Sequence, residues 1–169
     1  MYYQIVRQFA LTLKNLDAIL IKAEQHAEAR GFDVDNFLGS RLAPDMLPLL
    51  AQVRIACDNA KSAAANLARR EVPRHEDNEK TFEELHGRIA KVLAFLDGFK
   101  EADFAQTTSD TKVSIPYPPG KFMRAVDYVT GRQIPNFYFH VVTAYDILRQ
   151  GGVDLGKADY LGAIPLLDA

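Results

Sequence analysis

Apolar residues recur at alternating spacings of four and three along three stretches of the chain. This spacing keeps apolar side chains on one face of an α-helix, where they form a seam against neighbouring helices. Helices with such seams cross at about 20°, so the pattern predicts helices lying side by side in a bundle. The three seams are Phe9, Leu13, Leu16, Leu20, Ala23 and Ala27; then Met46, Leu49, Val53, Ala56, Ala60, Ala63 and Leu67; and then Phe82, Leu85, Ile89, Val92, Leu96 and Phe99.

A fourth helix is predicted over residues 135–152. Pro135 suits the first helical turn, where its missing N–H costs little, and the Gly151–Gly152 pair suits the helix end. The apolar seam of this helix is Phe137, Val141, Ala144 and Leu148.

Several residues mark the ends of the predicted helices. Gly31 follows the first seam and suits a left-handed cap. Thr81 and Glu84 match the capping box, in which the two residues satisfy each other's free backbone N–H groups. Asp45 is predicted to cap the second helix, which places Pro48 in its first turn.

A β-hairpin is predicted between the third and fourth helices. Residues 112–115 and 122–125 alternate in polarity around the turn-forming residues 118–120. Tyr117, beside this turn, is expected on the hairpin surface, with a position over a pocket as the alternative. The apolar tail after Gly152 has no clean period, and we expect it to pack against the bundle or against a partner subunit.

Together these elements predict an all-α fold, an up-and-down four-helix bundle with a small β-hairpin inserted before the last helix. We expect residues 1–169 to form a single domain, since 169 residues suffice for one hydrophobic core. Hydrophobic residues make up 48% and charged residues 25%, an ordinary balance for a globular protein. The net charge of −2 offers no basic surface for nucleic acid or for anionic lipid.

The sequence also predicts the cellular compartment. Arg7, Lys14 and Asp17 interrupt the apolar residues near the N-terminus, so we expect no signal peptide. No window approaches the roughly 18 apolar residues of a membrane span. Cys57 is the only cysteine, which rules out an intramolecular disulfide and favours a cytoplasmic location. Its alanine-rich surroundings predict a buried, unreactive thiol.

The fourth helix places one histidine, His140, beside its seam. A metal site on a helix needs a second ligand three or four residues away, but Thr143 and Ala144 occupy those places. On the second helix, polar residues recur every seven positions beside the seam: Asp45, Gln52 and Asn59.

If these two flanks face one another, they line a polar cleft. Gln52, Asn136 and His140 are then predicted to bind a small polar ligand. Two alternatives stay open. His140 either hydrogen-bonds Gln52 or a backbone carbonyl and satisfies a buried polar position, or it binds a metal.

Three segments resemble an uncharacterised family within the DinB-like four-helix-bundle superfamily: residues 42–49, 137–149 and 152–157. The resemblance covers nearly the whole chain and implies a DinB-like bundle that is commonly dimeric. Related superfamily members include thiol-dependent transferases and isomerases that bind a divalent metal through three histidines. Matching their pattern to this chain gives Gln52, His140 and Ala144 at the three positions. The resemblance therefore implies a degenerate metal site.

The leading functional hypothesis is an uncharacterised DinB-like homodimer that binds a small polar ligand without conventional catalysis and without a cofactor. The glycine-rich phosphate loop, the nucleophile elbow and the helical zinc motif are all missing from the sequence. One alternative is a metal-dependent thiol transferase or hydrolase, in which His86, Asp146 or a partner-chain residue joins Gln52 and His140 as a ligand. The other alternative is a structural or protein-interaction module that uses the apolar tail and the aromatic residues.

Overall fold

The structure is a computed structural model that describes residues 1–115, 118–164 and 166–167; Tyr117 lies outside these ranges. Within them the chain forms four long α-helices, two short α-helices and two 3-10 helices, Val34–Phe37 and Glu101–Phe104. The α-helices are α1 (Tyr2–Arg30), α2 (Leu49–Leu67), α3 (Phe82–Asp97), α4 (Ala125–Tyr128), α5 (Ile134–Gln150) and α6 (Lys157–Leu161). None of these helices is both long and apolar enough to cross a membrane.

The predicted seams form the core between the long helices. Every residue of the α1 and α5 seams is buried, as is every seam residue that lies within α2 and α3. α2 packs against α1, α3 and α5, and α1 also packs against α3 and α5. Small side chains let α2 approach its neighbours closely, because its buried positions include Ala56, Ala60, Ala63 and Ala64.

The helix ends follow most of the predicted signals. Gly31 has φ 71° and ψ 37°, a left-handed cap. The Thr81 hydroxyl accepts from the Glu84 backbone N–H at 3.2 Å, and the Glu84 carboxylate accepts from the Thr81 N–H at 3.2 Å, so the capping box is confirmed.

The predicted cap at Asp45 was wrong, because α2 begins only at Leu49. Pro48 precedes the helix in an extended conformation, with φ −74° and ψ 168°. A residue before a proline is disfavoured in the helical region, so Leu47 is a natural break.

The hairpin prediction is confirmed. Strands β1 (Lys112–Ser114) and β2 (Phe122–Arg124) pair antiparallel, with Val113 opposite Met123. Val113 is buried, and the hairpin packs through β1 against α2.

The segment before α5 is helical, which the sequence did not predict. α4 continues directly into a π-helical turn, Val129–Gln133, and that turn continues into α5. The Ile134 N–H donates to the Val129 carbonyl, five residues back. Pro135 has no N–H, and its ring crowds the carbonyl four residues earlier, so a widened turn accommodates it. We call Val129–Gln133 the π-turn.

The tail packs back on the first helix. Lys22 of α1 pairs with Asp159 of α6 at 2.7 Å, and the Asn15 side chain donates to the Tyr160 carbonyl at 3.0 Å. Val153 and Leu155 are buried. Of the two expectations for the tail, packing against the chain's own helices is met up to Leu161.

Candidate functional site

Polar side chains meet where α2 and α5 run antiparallel. On α2 they recur every seven residues, so they share one face of the helix. Their partners follow in reverse order along α5 and the residues before it. We call this set the polar ladder; its pairs are Gln52–His140, Asn59–Asn136 and Asn66–Tyr128.

The first pair lies fully inside the interface. Nδ1 of His140 is 2.6 Å from Oε1 of Gln52, and Nε2 of Gln52 donates to the Leu47 carbonyl at 2.8 Å. Because the Gln52 amide nitrogen serves Leu47, its oxygen is the acceptor, so Nδ1 of His140 carries the proton. Burial lowers the pKa of His140, which favours the neutral ring. The pair is thus the hydrogen-bonded arrangement that the sequence left open as an alternative to ligand binding.

The second pair joins two asparagines. Nδ2 of Asn136 donates to Oδ1 of Asn59 at 2.9 Å, and Nδ2 of Asn59 donates to the Ile55 carbonyl at 2.9 Å. Gln133, on the π-turn, adds a longer contact of 3.4 Å to the Asn59 carbonyl. Asn136 is only half-buried, so part of its amide faces outward.

The third pair contains a buried tyrosine, Tyr128, whose hydroxyl has two amide neighbours. The Tyr128 hydroxyl lies 2.9 Å from Nδ2 of Asn66 and 2.7 Å from Nε2 of Gln133. Burial raises the pKa of Tyr128, so the phenol is neutral at physiological pH. Nη1 of Arg132 donates to Oε1 of Gln133 at 3.2 Å. The π-turn therefore brings two side chains, Arg132 and Gln133, to the end of the ladder.

A cleft of about 540 Å³ opens beside the second and third pairs, between α2, β1 and the π-turn. Asp58, Ser62 and Ser114 also reach it. We call it the polar cleft, and its principal lining residues are Asn59, Asn66, Tyr128, Arg132, Gln133 and Asn136.

The predicted site residues divide between the cleft and the interface behind it. Asn136 lines the polar cleft, whereas Gln52 and His140 bind each other one helical turn away. Thr143 donates to the Phe139 carbonyl of its own helix at 2.7 Å. The sequence reasoning did not find Asn66, although it continues the seven-residue spacing of Gln52 and Asn59.

Six charged side chains form a network between α2, α3 and the connector before α3. One of them, Asp58, also lines the polar cleft. The Glu79 carboxylate accepts from Nε of Arg54 at 2.6 Å and from Nη1 of Arg88 at 2.9 Å. Nη2 of Arg88 lies 2.9 Å from Asp58, and Lys61 lies 2.8 Å from the same carboxylate. We call this set the ion cluster: Arg54, Asp58, Lys61, Asp77, Glu79 and Arg88.

The ion cluster was not predicted, although the sequence carried a signal for it. Arg88 stands directly before the seam residue Ile89 and is 2% exposed. A fully buried arginine is found almost only with carboxylate partners. Cys57 is buried on the same helix as Asp58, and burial raises the pKa of its thiol to about 12. The expectation of an unreactive cysteine agrees with this pKa.

The three residues matched by resemblance to a three-histidine pattern, Gln52, His140 and Ala144, do not fit such a site. Ala144 has no donor atom, and the Gln52 oxygen already accepts from His140. His86 pairs instead with Asp17 of α1 at 2.6 Å, and Asp146 is exposed. In the ranges that the structure describes, no three His, Cys, Asp or Glu side chains are grouped closely enough to hold a metal ion.

The four long helices, with the hairpin inserted before the last of them, define a mostly helical protein, and the comparisons place it among DinB-like proteins. The chain belongs to the family described as a domain of unknown function, DUF1993, whose model matches residues 1–161. Its structure is similar to the crystal structure of a DinB family member from Shewanella denitrificans. That protein is 48% identical, the match covers 97% of this chain and 93% of the other, and the TM-score is 0.92. No protein of curated function is similar enough to this chain to count as a match.

Proposed function

We propose that this DinB-like protein binds a small polar ligand in the polar cleft and does so without conventional catalysis. The observation that carries the proposal is the convergence of six polar side chains from α2, the π-turn and its flanking helices on one cleft of about 540 Å³. This volume is typical of small-molecule sites. π-helical turns are frequent at functional sites, because the extra residue redirects side chains.

The ladder residues would have two different roles. Asn136 is in a position to contact the ligand, since it is half-buried and lines the cleft. Gln52 and His140 would position it, because their hydrogen bond fixes α5 against α2 one turn from Asn136. In this proposal Asn136 contacts the ligand directly, and the buried Gln52–His140 pair holds Asn136 in position.

A cleft-filling variant tests the proposal. The protein is screened by thermal shift against a library of small polar metabolites, and binders are confirmed by NMR titration. Ser62→Phe places a ring in the cleft, whereas Ile21→Phe places the same ring on the exposed face of α1, away from the cleft. We expect binding to be lost in the first variant and kept in the second. Binding that survives Ser62→Phe, or a library without a binder, would contradict the proposal.

The proposal includes no bound metal, and the supposed metal site is a degenerate one. The support is the donor set itself, since Ala144 cannot coordinate and Gln52 is engaged by His140. Elemental mass spectrometry of untagged protein, purified without chelator, tests this point. Near-stoichiometric zinc, nickel or manganese that is lost in His140→Ala would revive the transferase or hydrolase alternative.

We also propose that residues 1–169 form one domain, an up-and-down four-helix bundle, which acts as a cytoplasmic homodimer. Phe139 and Val142 support the dimer, because they are 56% and 39% exposed on the outer face of α5. Sedimentation of the wild type and of Phe139→Ser tests it. A monomeric wild type would refute the dimer, and a dimer unaffected by Phe139→Ser would place its interface elsewhere.

A further inference from the structure

Arg132 has a different environment from the arginines of the ion cluster. Arg132 lines the polar cleft and is half-buried. Its hydrogen bond goes to a neutral amide oxygen, Oε1 of Gln133. Among the described residues it pairs with no carboxylate, whereas Arg54 and Arg88 both do.

The surroundings of the cleft do not neutralise this charge. Asp58 is the one carboxylate among its described lining residues, and it is already shared by Lys61 at 2.8 Å and Arg88 at 2.9 Å. The ion cluster is balanced in itself, since its three cations face three carboxylates: Arg54, Lys61 and Arg88 against Asp58, Asp77 and Glu79. Arg132 therefore leaves the cleft with one surplus positive charge.

The groups beside Arg132 are neutral and polar. Asn136 and Asn66 present amides, and Ser62 and Ser114 present hydroxyls. A guanidinium binds a planar carboxylate through two parallel N–H donors, and such charge-assisted bonds are about twice as strong as neutral ones. A doubly charged phosphate would leave one negative charge uncompensated close to Asp58, whereas a single carboxylate matches the surplus.

We infer that the ligand of the polar cleft is a small monocarboxylate, whose carboxylate binds Arg132 while its remaining polar groups meet the amides of α2 and α5. This inference rests on the proposed function, because it assumes that the cleft is a binding site. Arg132 sets the charge of the ligand, and the amides set its shape.

The test compares carboxylates with their uncharged amides by NMR titration of the intact protein. The probes are lactate and lactamide, benzoate and benzamide, and 4-hydroxybenzoate and 4-hydroxybenzamide, with inorganic phosphate as the competing anion. We expect at least one carboxylate to bind about tenfold more tightly than its amide. Arg132→Gln should remove this preference, and Arg132→Lys should keep part of it, because the charge stays but the paired donors are lost.

Arg41→Gln is the matched control, since Arg41 is exposed, donates to the Met46 carbonyl and does not line the cleft. It should leave the carboxylate preference intact. Equal binding of acids and amides in the cleft would overturn the inference and leave the proposed function standing. Tighter binding of phosphate, or no response to any carboxylate, would also overturn it. If the metabolite library too gives no binder, the proposed function fails as well.

Discussion

Glu79 is the residue whose removal should destabilise the fold most clearly. Its side chain is 9% exposed and accepts from two arginines, Arg54 at 2.6 Å and Arg88 at 2.9 Å. Glu79→Gln keeps the shape but removes the charge, and it turns one amide N–H toward an arginine N–H. Breaking a buried ion pair from one side costs about 3–5 kcal/mol, because the remaining charge stays buried without compensation. Asp58 and Asp77 retain part of the compensation for Arg88, so the lower end of this range is expected.

The assay is chemical denaturation with thermal melting as a second readout. For a chain of this length each kcal/mol lowers the melting temperature by about 2–4 °C, so a fall of at least about 6 °C is expected. Asp97→Asn is the control, since Asp97 pairs with Arg7 at 3.4 Å but is 83% exposed. An exposed pair contributes at most about 1 kcal/mol. A Glu79→Gln variant as stable as Asp97→Asn would refute the view that Glu79 holds the two arginines in place.

Three further outcomes are expected. The hydrogen bond that His86 donates to the Asp17 carboxylate, together with the charges of Asp17 and Glu24, raises the pKa of His86. Its stabilising contribution is therefore complete below the unfolded value of about 6.5 and is lost as the pH rises through the higher folded pKa. His86→Asn should destabilise the protein more at pH 5.5 than at pH 8.5, and equal losses would contradict the charge pairing. Burial lowers the pKa of His140, so its contribution is present above about pH 6.5 and is lost as the pH falls toward the lower folded pKa. His140→Asn, which keeps a donor for Gln52, should lose less stability on acidification than the wild type. The free energy of unfolding is measured by urea denaturation at several pH values, and the same dependence on pH in both proteins would count against a buried neutral imidazole. Gly31→Ala should cost about 1 kcal/mol in the same assay, because Gly31 has φ 71°; a neutral effect would mean that the cap relaxes.

The sequence predicted those features that depend on neighbouring residues. The helix seams and the capping box at Thr81 are local patterns, and the structure contains both. The start of α2 was misplaced because the acidic cap signal at Asp45 competes with the backbone restriction that Pro48 imposes on Leu47. The contact between strand β1 and α2 depends on tertiary packing, so no local sequence pattern predicts it.

The candidate site was only half predictable for a related reason. Pro135 is typical of a helix start, so the sequence placed Tyr128, Arg132 and Gln133 outside any helix. In the structure the helix runs backward from Pro135 through the π-turn into α4. The contribution of these three residues therefore depends on how the chain packs before Pro135. Asn136 was found because it lies after the proline, on the part of the helix that periodicity describes.

The buried ladder also explains how the interface between α2 and α5 can remain stable with polar side chains inside it. A buried polar position must be satisfied, whether by a metal or by hydrogen bonds. Gln52 is suited to the second solution, because its amide donates to Leu47 while its oxygen accepts from His140. Ala144, whose side chain has no polar atom, is fully buried in the apolar seam of α5. On the proposed function, the ligand-contacting groups then lie one turn and more toward the N-terminus of α5, where Asn136 and the π-turn face the cleft.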